Sequence, residues 1–194
     1  IDKKYYGEVT LNTALSRSLN LATINLSEEV GRSKIIRTAK RMGITTPIEN
    51  TPALALGAFE VRVLDMAVAY ASIANGGYAV WPYAIQEIYT KDGYQLYMRE
   101  PDEPNRIIVD YAAEEMTEML ENVINSGTGK RARLSFFAAG KTGTSQNNRD
   151  AWFVGFTDNY VAAVWVGNDD NSPMKGIGGS GLPAEIWKKI MLVK

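Results

Sequence analysis

Between Ala138 and Asn168 the chain runs through three consecutive strand-like segments, AAGKTGTS, AWFVGFT and YVAAVWVGN, and only Asp158 and Asn159 separate the last two. A connection that short cannot hold the helical crossover that parallel neighbours require, so it predicts an antiparallel pair. Almost everything upstream has helical rather than strand periodicity. Leu11, Ala14, Leu15, Leu19, Ala22 and Leu26 fall on one helical face, but Ser16, Ser18 and Asn20 interrupt it with residues that favour caps and turns, which predicts two helices joined at SRSLN. Gly31 closes the second helix, and RSKIIRTAKRM forms a third that stops at Gly43, with Lys34, Arg37, Lys40 and Arg41 as its solvated face. In ALALGAFEVRVLDMAVAYASIANGG the positions Val63, Met66, Ala67, Tyr70 and Ile73 predict a buried helix ended by Gly76 and Gly77. YAIQEIYTKDGYQLYM reads as a hairpin about Lys91, Asp92 and Gly93, and VDYAAEEMTEMLENVINSG as a long amphipathic helix. LPAEIWKKIM is a last helix with Pro183 in its first turn. Helices followed by adjacent antiparallel strands predict one α+β domain over residues 1–194, an antiparallel sheet flanked by helices.

Composition restricts the chemistry more than the fold. The chain has no histidine and no cysteine, which excludes Ser-His-Asp triads, thiol nucleophiles and His- or Cys-ligated metal sites. Proton transfer must then use Lys, Asp, Glu or Tyr, and no cofactor or metal is expected. A formal net charge of -1 gives no electrostatic footprint for a nucleic-acid partner. No apolar run is long enough to span a bilayer, and the opening IDKKYYGEVT lacks the layout of a signal peptide.

The functional question centres on AAGKTGTSQNN, Ala138 to Asn148, and on what anion Lys141 meets. A phosphate-binding loop of the Walker type needs a glycine five residues before its Gly-Lys pair and a helix after it; here position 135 is Ser135, and QNNRD leads into a strand. A plain solvent-facing strand lysine is the second reading. The third is a strand that reads a carboxylate: Thr142, Thr144 and Ser145 supply hydroxyls beside the lysine, and Gly143 lets a substrate backbone approach closely. Asp150, Asp169 and Asp170 read as turn or cap residues, and Met116 and Met119 as packing.

KTGTS at Lys141 to Ser145 and SLN at Ser18 to Asn20 resemble the K-T-G and S-x-N elements of the penicillin-binding proteins. The resemblance extends through SGTGKRA, DAWFVGFT, WVGNDD and GGSGLPAEIW, and is strongest to the class A, bifunctional type. It implies a penicillin-binding, β-lactamase-like transpeptidase fold and acyl transfer from stem peptides ending in D-Ala-D-Ala, with β-lactams acylating the same serine. It also implies an extracytoplasmic location, with the parent protein anchored by an N-terminal transmembrane helix. By this resemblance Ser18 and Lys141 belong to the proton-transfer network, and Asn20 hydrogen-bonds the substrate amide. Thr142 and Thr144 hold the terminal carboxylate, with Gly143 and Ser145 in the same substrate-binding strand.

The family's first motif, S-x-x-K, supplies the nucleophilic serine and precedes S-x-N, yet residues 1–17 do not contain it. The literal match Ser172-Pro173-Met174-Lys175 follows the K-T-G element directly beyond GNDDN, where a loop is expected, and reads as a coincidence. The expectation is therefore a C-terminal part of a transpeptidase domain, inactive alone and completed by an upstream segment or companion chain. A non-catalytic peptidoglycan-binding module and a D,D-carboxypeptidase or β-lactamase-type hydrolase remain as alternatives.

Overall fold

A computed structural model describes residues 6–193. Among the described residues there are six helices, α1 (Leu11–Arg17), α2 (Asn20–Val30), α3 (Arg32–Arg41), α4 (Val63–Ala74), α5 (Asp110–Asn125) and α6 (Leu182–Met191), and two small antiparallel sheets. The first sheet is the exposed hairpin β1 (Glu87–Tyr89) and β2 (Gln95–Met98), turning about the expected Lys91-Asp92-Gly93. The second has the order β3 (Ala139–Thr144), β4 (Asp150–Phe156), β5 (Val161–Gly167), and both of its pairings are antiparallel. The α+β architecture read from the sequence is the one observed.

Register divides the three-stranded sheet into two faces. Ala139 pairs with Phe156 and Lys141 with Val154, so alternation puts Ala139, Lys141 and Gly143 on one face and Gly140, Thr142 and Thr144 on the other. Ala139 and Phe156 pack with Ile73 of α4 and Leu120 of α5. On the opposite face Phe153 and Val164 meet Ala184, Trp187 and Met191 of α6. Trp187 is 0% exposed, its ring centroid lies 5.1 Å from that of Phe153, and its indole N–H donates to the Gly155 carbonyl at 3.2 Å. Helices α5 and α6 thus clamp the sheet from two sides and fix where β3 presents the edge that faces away from β4.

Helix α4 begins at Val63, the first residue of the expected stripe, after a 3-10 turn at Pro52–Leu56, but the face it buries is Asp65, Val68, Ala69, Ser72 and Ile73. Of the expected inward stripe only Ile73 is buried, while Val63 is exposed. The cause is Asp65, whose carboxylate accepts the Thr45 backbone N–H at 2.8 Å and the Thr45 hydroxyl at 2.6 Å. Burial alone would raise the Asp65 carboxyl, but these two bonds and nearby Arg62 outweigh it and hold the group below its ordinary value. A hydrogen-bonded polar residue therefore turns the helix to a face that hydrophobic spacing does not indicate.

The candidate active site

The break between α1 and α2 places the first functional side chain. Thr10 caps α1 by accepting the Thr13 N–H, and the helix ends with the Ser18 N–H on the Leu15 carbonyl at 3.2 Å and the Leu19 N–H on the Ala14 carbonyl at 2.9 Å. This closure puts Ser18 in the left-handed region, φ 54 and ψ 53, which a residue with a side chain occupies only where its surroundings impose it. The surroundings are α5 and the loop that follows it. Asn122 donates to the Asn12 side chain, and the Thr128 N–H donates to the Ser16 carbonyl at 3.0 Å. The close approach depends on Gly127, where a Cβ would lie 2.3 Å from the Ser16 carbonyl oxygen.

Strand β3 brings the second group. Its Lys141 ammonium donates to the Ser18 hydroxyl and, at 3.0 Å, to the Thr142 carbonyl. An ammonium carries three donors and no acceptor, so one N–H remains for a ligand. Burial pushes Lys141 from 10.5 down to about 8, because charge is costly away from water. Near neutrality the group is therefore an ammonium close to its titration point, able to give or take a proton with Ser18 as acceptor or donor.

The strand itself presents the rest. The Ser145 N–H donates to the Asp150 carbonyl at 3.0 Å, so the antiparallel alternation turns the amides of Lys141, Gly143 and Ser145 toward β4 and those of Thr142 and Thr144 away from it. Among the described residues no strand pairs with β3 on that outer side. The Thr142 hydroxyl lies 2.7 Å from that of Thr128, and the exposed Thr144 hydroxyl accepts the Gly179 N–H at 2.9 Å. Gly179 fits only as glycine, since a Cβ there would stand 2.3 Å from the Gly143 carbonyl oxygen and 2.4 Å from that of Trp152.

Of the residues expected at the site, the structure joins Ser18 and Lys141 directly and places Thr142, Gly143 and Thr144 next along the same strand. Asn20 is exposed at the start of α2. Ser145 is differently engaged: its hydroxyl accepts the Asp150 N–H at 2.8 Å and closes the β3–β4 connection. Two participants, Thr128 and Gly179, were visible in the sequence only inside SGTGKRA and GGSGLPAEIW, with no role attached.

The rejected readings are consistent with their surroundings. A 3-10 turn at Gln146–Asn148 follows β3, and β4 follows that turn, rather than the helix a phosphate loop needs. Ser172 lies in irregular chain just after the turn at Asp169 and Asp170, outside any helix, where its N–H donates to Asp170 and its hydroxyl and carbonyl accept the Asn168 amide. The donors on Ser172 hold the Asp170 carboxyl below its ordinary value. Asp150 accepts the Trp165 indole N–H at 3.0 Å, a cross-strand tether.

A chain with this site matches the family model of the penicillin-binding protein transpeptidase domain over residues 1–192. Penicillin-binding protein 1A of Aquifex aeolicus (strain VF5) is 37% identical over 194 residues, covering 99% of this chain and 26% of the relative. Penicillin-binding protein 1B of Escherichia coli (strain K12) is 34% identical over 186 residues, covering 93% of this chain and 22% of the relative. Among solved structures, PonA1 of Mycobacterium tuberculosis in complex with penicillin V superposes with a TM-score of 0.88 at 28% identity, over 97% of this chain and 57% of that one. The chain thus spans about a quarter of the length of the curated relatives it matches.

Proposed function

The chain belongs to the penicillin-binding protein transpeptidase family, and from that membership we propose that it supplies the S-x-N and K-T-G half of a transpeptidase site that cross-links peptidoglycan and is acylated by β-lactams. The observation that carries this reading is the Lys141–Ser18 contact made beside the free edge of β3. A stem peptide ending in D-Ala-D-Ala adds to that edge as an extended strand, meeting the outward N–H groups of Thr142 and Thr144. Its terminal carboxylate takes the hydroxyls of Thr142 and Thr144, within the field of Lys141. Asn20 hydrogen-bonds the substrate amide.

The serine of an S-x-x-K element outside residues 1–194 attacks the penultimate carbonyl, its proton passing to the lysine of that element, and the Thr144 N–H is one donor to the oxyanion that forms. Collapse breaks the amide bond, and the leaving D-Ala amine takes its proton through Ser18, which Lys141 resupplies. The incoming acceptor amine gives a proton back along the same path as it attacks the acyl-enzyme, and the ester bond breaks with the departing serine oxygen recovering its own proton from the S-x-x-K lysine. Residues 1–194 form one part of that domain. Leu11, Leu21, Leu26 and Val30, exposed along α1 and α2, support an upstream segment or companion chain covering this side. An extracytoplasmic location, with a membrane anchor elsewhere in the parent protein, follows from the same reading. Among the described residues no helix is long and apolar enough to cross a membrane.

The test is labelling of the full-length protein with a fluorescent penicillin, with competition by a D-Ala-D-Ala peptide and by its C-terminal amide. The expected result is covalent label that the free acid prevents at lower concentration than the amide. Equal competition by the two would remove the carboxylate-reading role of β3, and absence of label would remove the transpeptidase assignment.

A further inference from the structure

We infer that Thr128, from the loop after α5, is a positioning residue that sets the direction of the Thr142 hydroxyl and thereby makes it a donor to the substrate carboxylate; this rests on the transpeptidase reading above. The argument begins with the asymmetry between the two strand threonines. Thr144 receives the Gly179 N–H, which can only donate, so the Thr144 hydrogen is left to point outward. Thr142 has a hydroxyl as its partner instead, 2.7 Å away, and either oxygen can be the donor of that bond. The pair is thus a rotor with two states.

A carboxylate tells those states apart. Ionised, it only accepts, so a Thr142 that donates to Thr128 would turn lone pairs toward it and repel it. If Thr128 donates, the chain runs Thr128 to Thr142 to carboxylate, with every hydrogen directed at the ligand and each bond strengthening the next. Thr128 is held for this role by its backbone, whose N–H donates to the Ser16 carbonyl at 3.0 Å. The same residue therefore touches the segment that carries Ser18 and the strand that carries Lys141. Its backbone bond survives any side-chain replacement, so the hydroxyl can be removed without releasing the loop from α1.

The experiment compares wild type, Thr128→Val and Thr128→Ser in the full-length protein, measuring the second-order rate of acylation by benzylpenicillin and by its carboxamide. Wild type is expected to prefer the free acid, and Thr128→Val to lose about threefold of that preference, since Thr142 keeps its own hydrogen but loses the bond that orients and polarises it. The loss should fall on the acid, with the carboxamide rate nearly unchanged, and Thr128→Ser should restore the preference. Equal losses for acid and carboxamide would show a merely structural role and overturn the inference. So would an unchanged preference in Thr128→Val. A wild type that reacts with neither compound would instead contradict the transpeptidase reading on which the inference rests.

Discussion

Replacing Lys141 with methionine in the full-length protein is expected to slow acylation by penicillin about a thousandfold while leaving the chain folded. Methionine keeps the apolar stem but removes the donors to Ser18 and the Thr142 carbonyl, together with the charge. Stability should move the other way. Lys141 titrates at about 8 when folded against 10.5 for its ordinary value, so between these pH values the unfolded chain binds more protons and wild-type stability rises with pH. Below pH 8 the folded state carries the whole penalty of the buried charge. Lys141→Met should therefore be more stable at pH 7, by on the order of 2 kcal/mol, and its stability should no longer change across that window. Ligand binding has the opposite sign, because a carboxylate favours the ammonium: affinity for the free acid should fall up to tenfold per pH unit above about 8. A methionine variant that acylates at the wild-type rate would remove Lys141 from the mechanism.

The second large effect is structural. Trp187→Ala is expected to destabilise the chain by about 4 kcal/mol, measured by denaturant unfolding, and to abolish penicillin labelling at temperatures where wild type is fully labelled. The indole is completely buried against Phe153, in a cluster that includes Ala184, Met191 and Val164. Its loss leaves a cavity and also removes the indole donor from the Gly155 carbonyl. Gly155 faces Gly140 across the β3–β4 ladder, one residue from Lys141, so a shift there reaches the site directly. Trp187→Phe, which keeps most of the volume but not the N–H, should cost about 1–2 kcal/mol and retain labelling. An alanine variant as stable as wild type would show that α6 does not hold the sheet.

Much of the fold is legible in the sequence because its signals are local. Gly31, Gly43 and the Gly76-Gly77 pair stop helices where the chain order says they should, and Asp158-Asn159 allows nothing but a tight reversal. The face of α4 was not legible, since it depends on Thr45 meeting Asp65 twenty positions away in a buried carboxylate bond. Site composition divides in the same way. The pairing of Ser18 with Lys141 is separated by most of the chain, and only the family resemblance anticipated it. Ser145 shares the strand's hydroxyl pattern, yet the Asp150 N–H gives its oxygen a second task that spacing alone does not show. Thr128 carried no sequence signal at all beyond its place in SGTG, because its partners, the Ser16 carbonyl and the Thr142 hydroxyl, become neighbours only after α1, α5 and β3 have packed.

The central claim, that these residues recognise and transfer protons for a nucleophile held on another segment, is tested most directly by finding the acylated serine. The 194-residue chain alone and the full-length protein would be incubated with penicillin, digested, and the penicilloyl peptide identified by mass spectrometry. The expected result is no adduct on the isolated chain and a single adduct in the full-length protein, on the serine of an S-x-x-K element outside these residues. A penicilloyl group on Ser18 or Ser172 would contradict it.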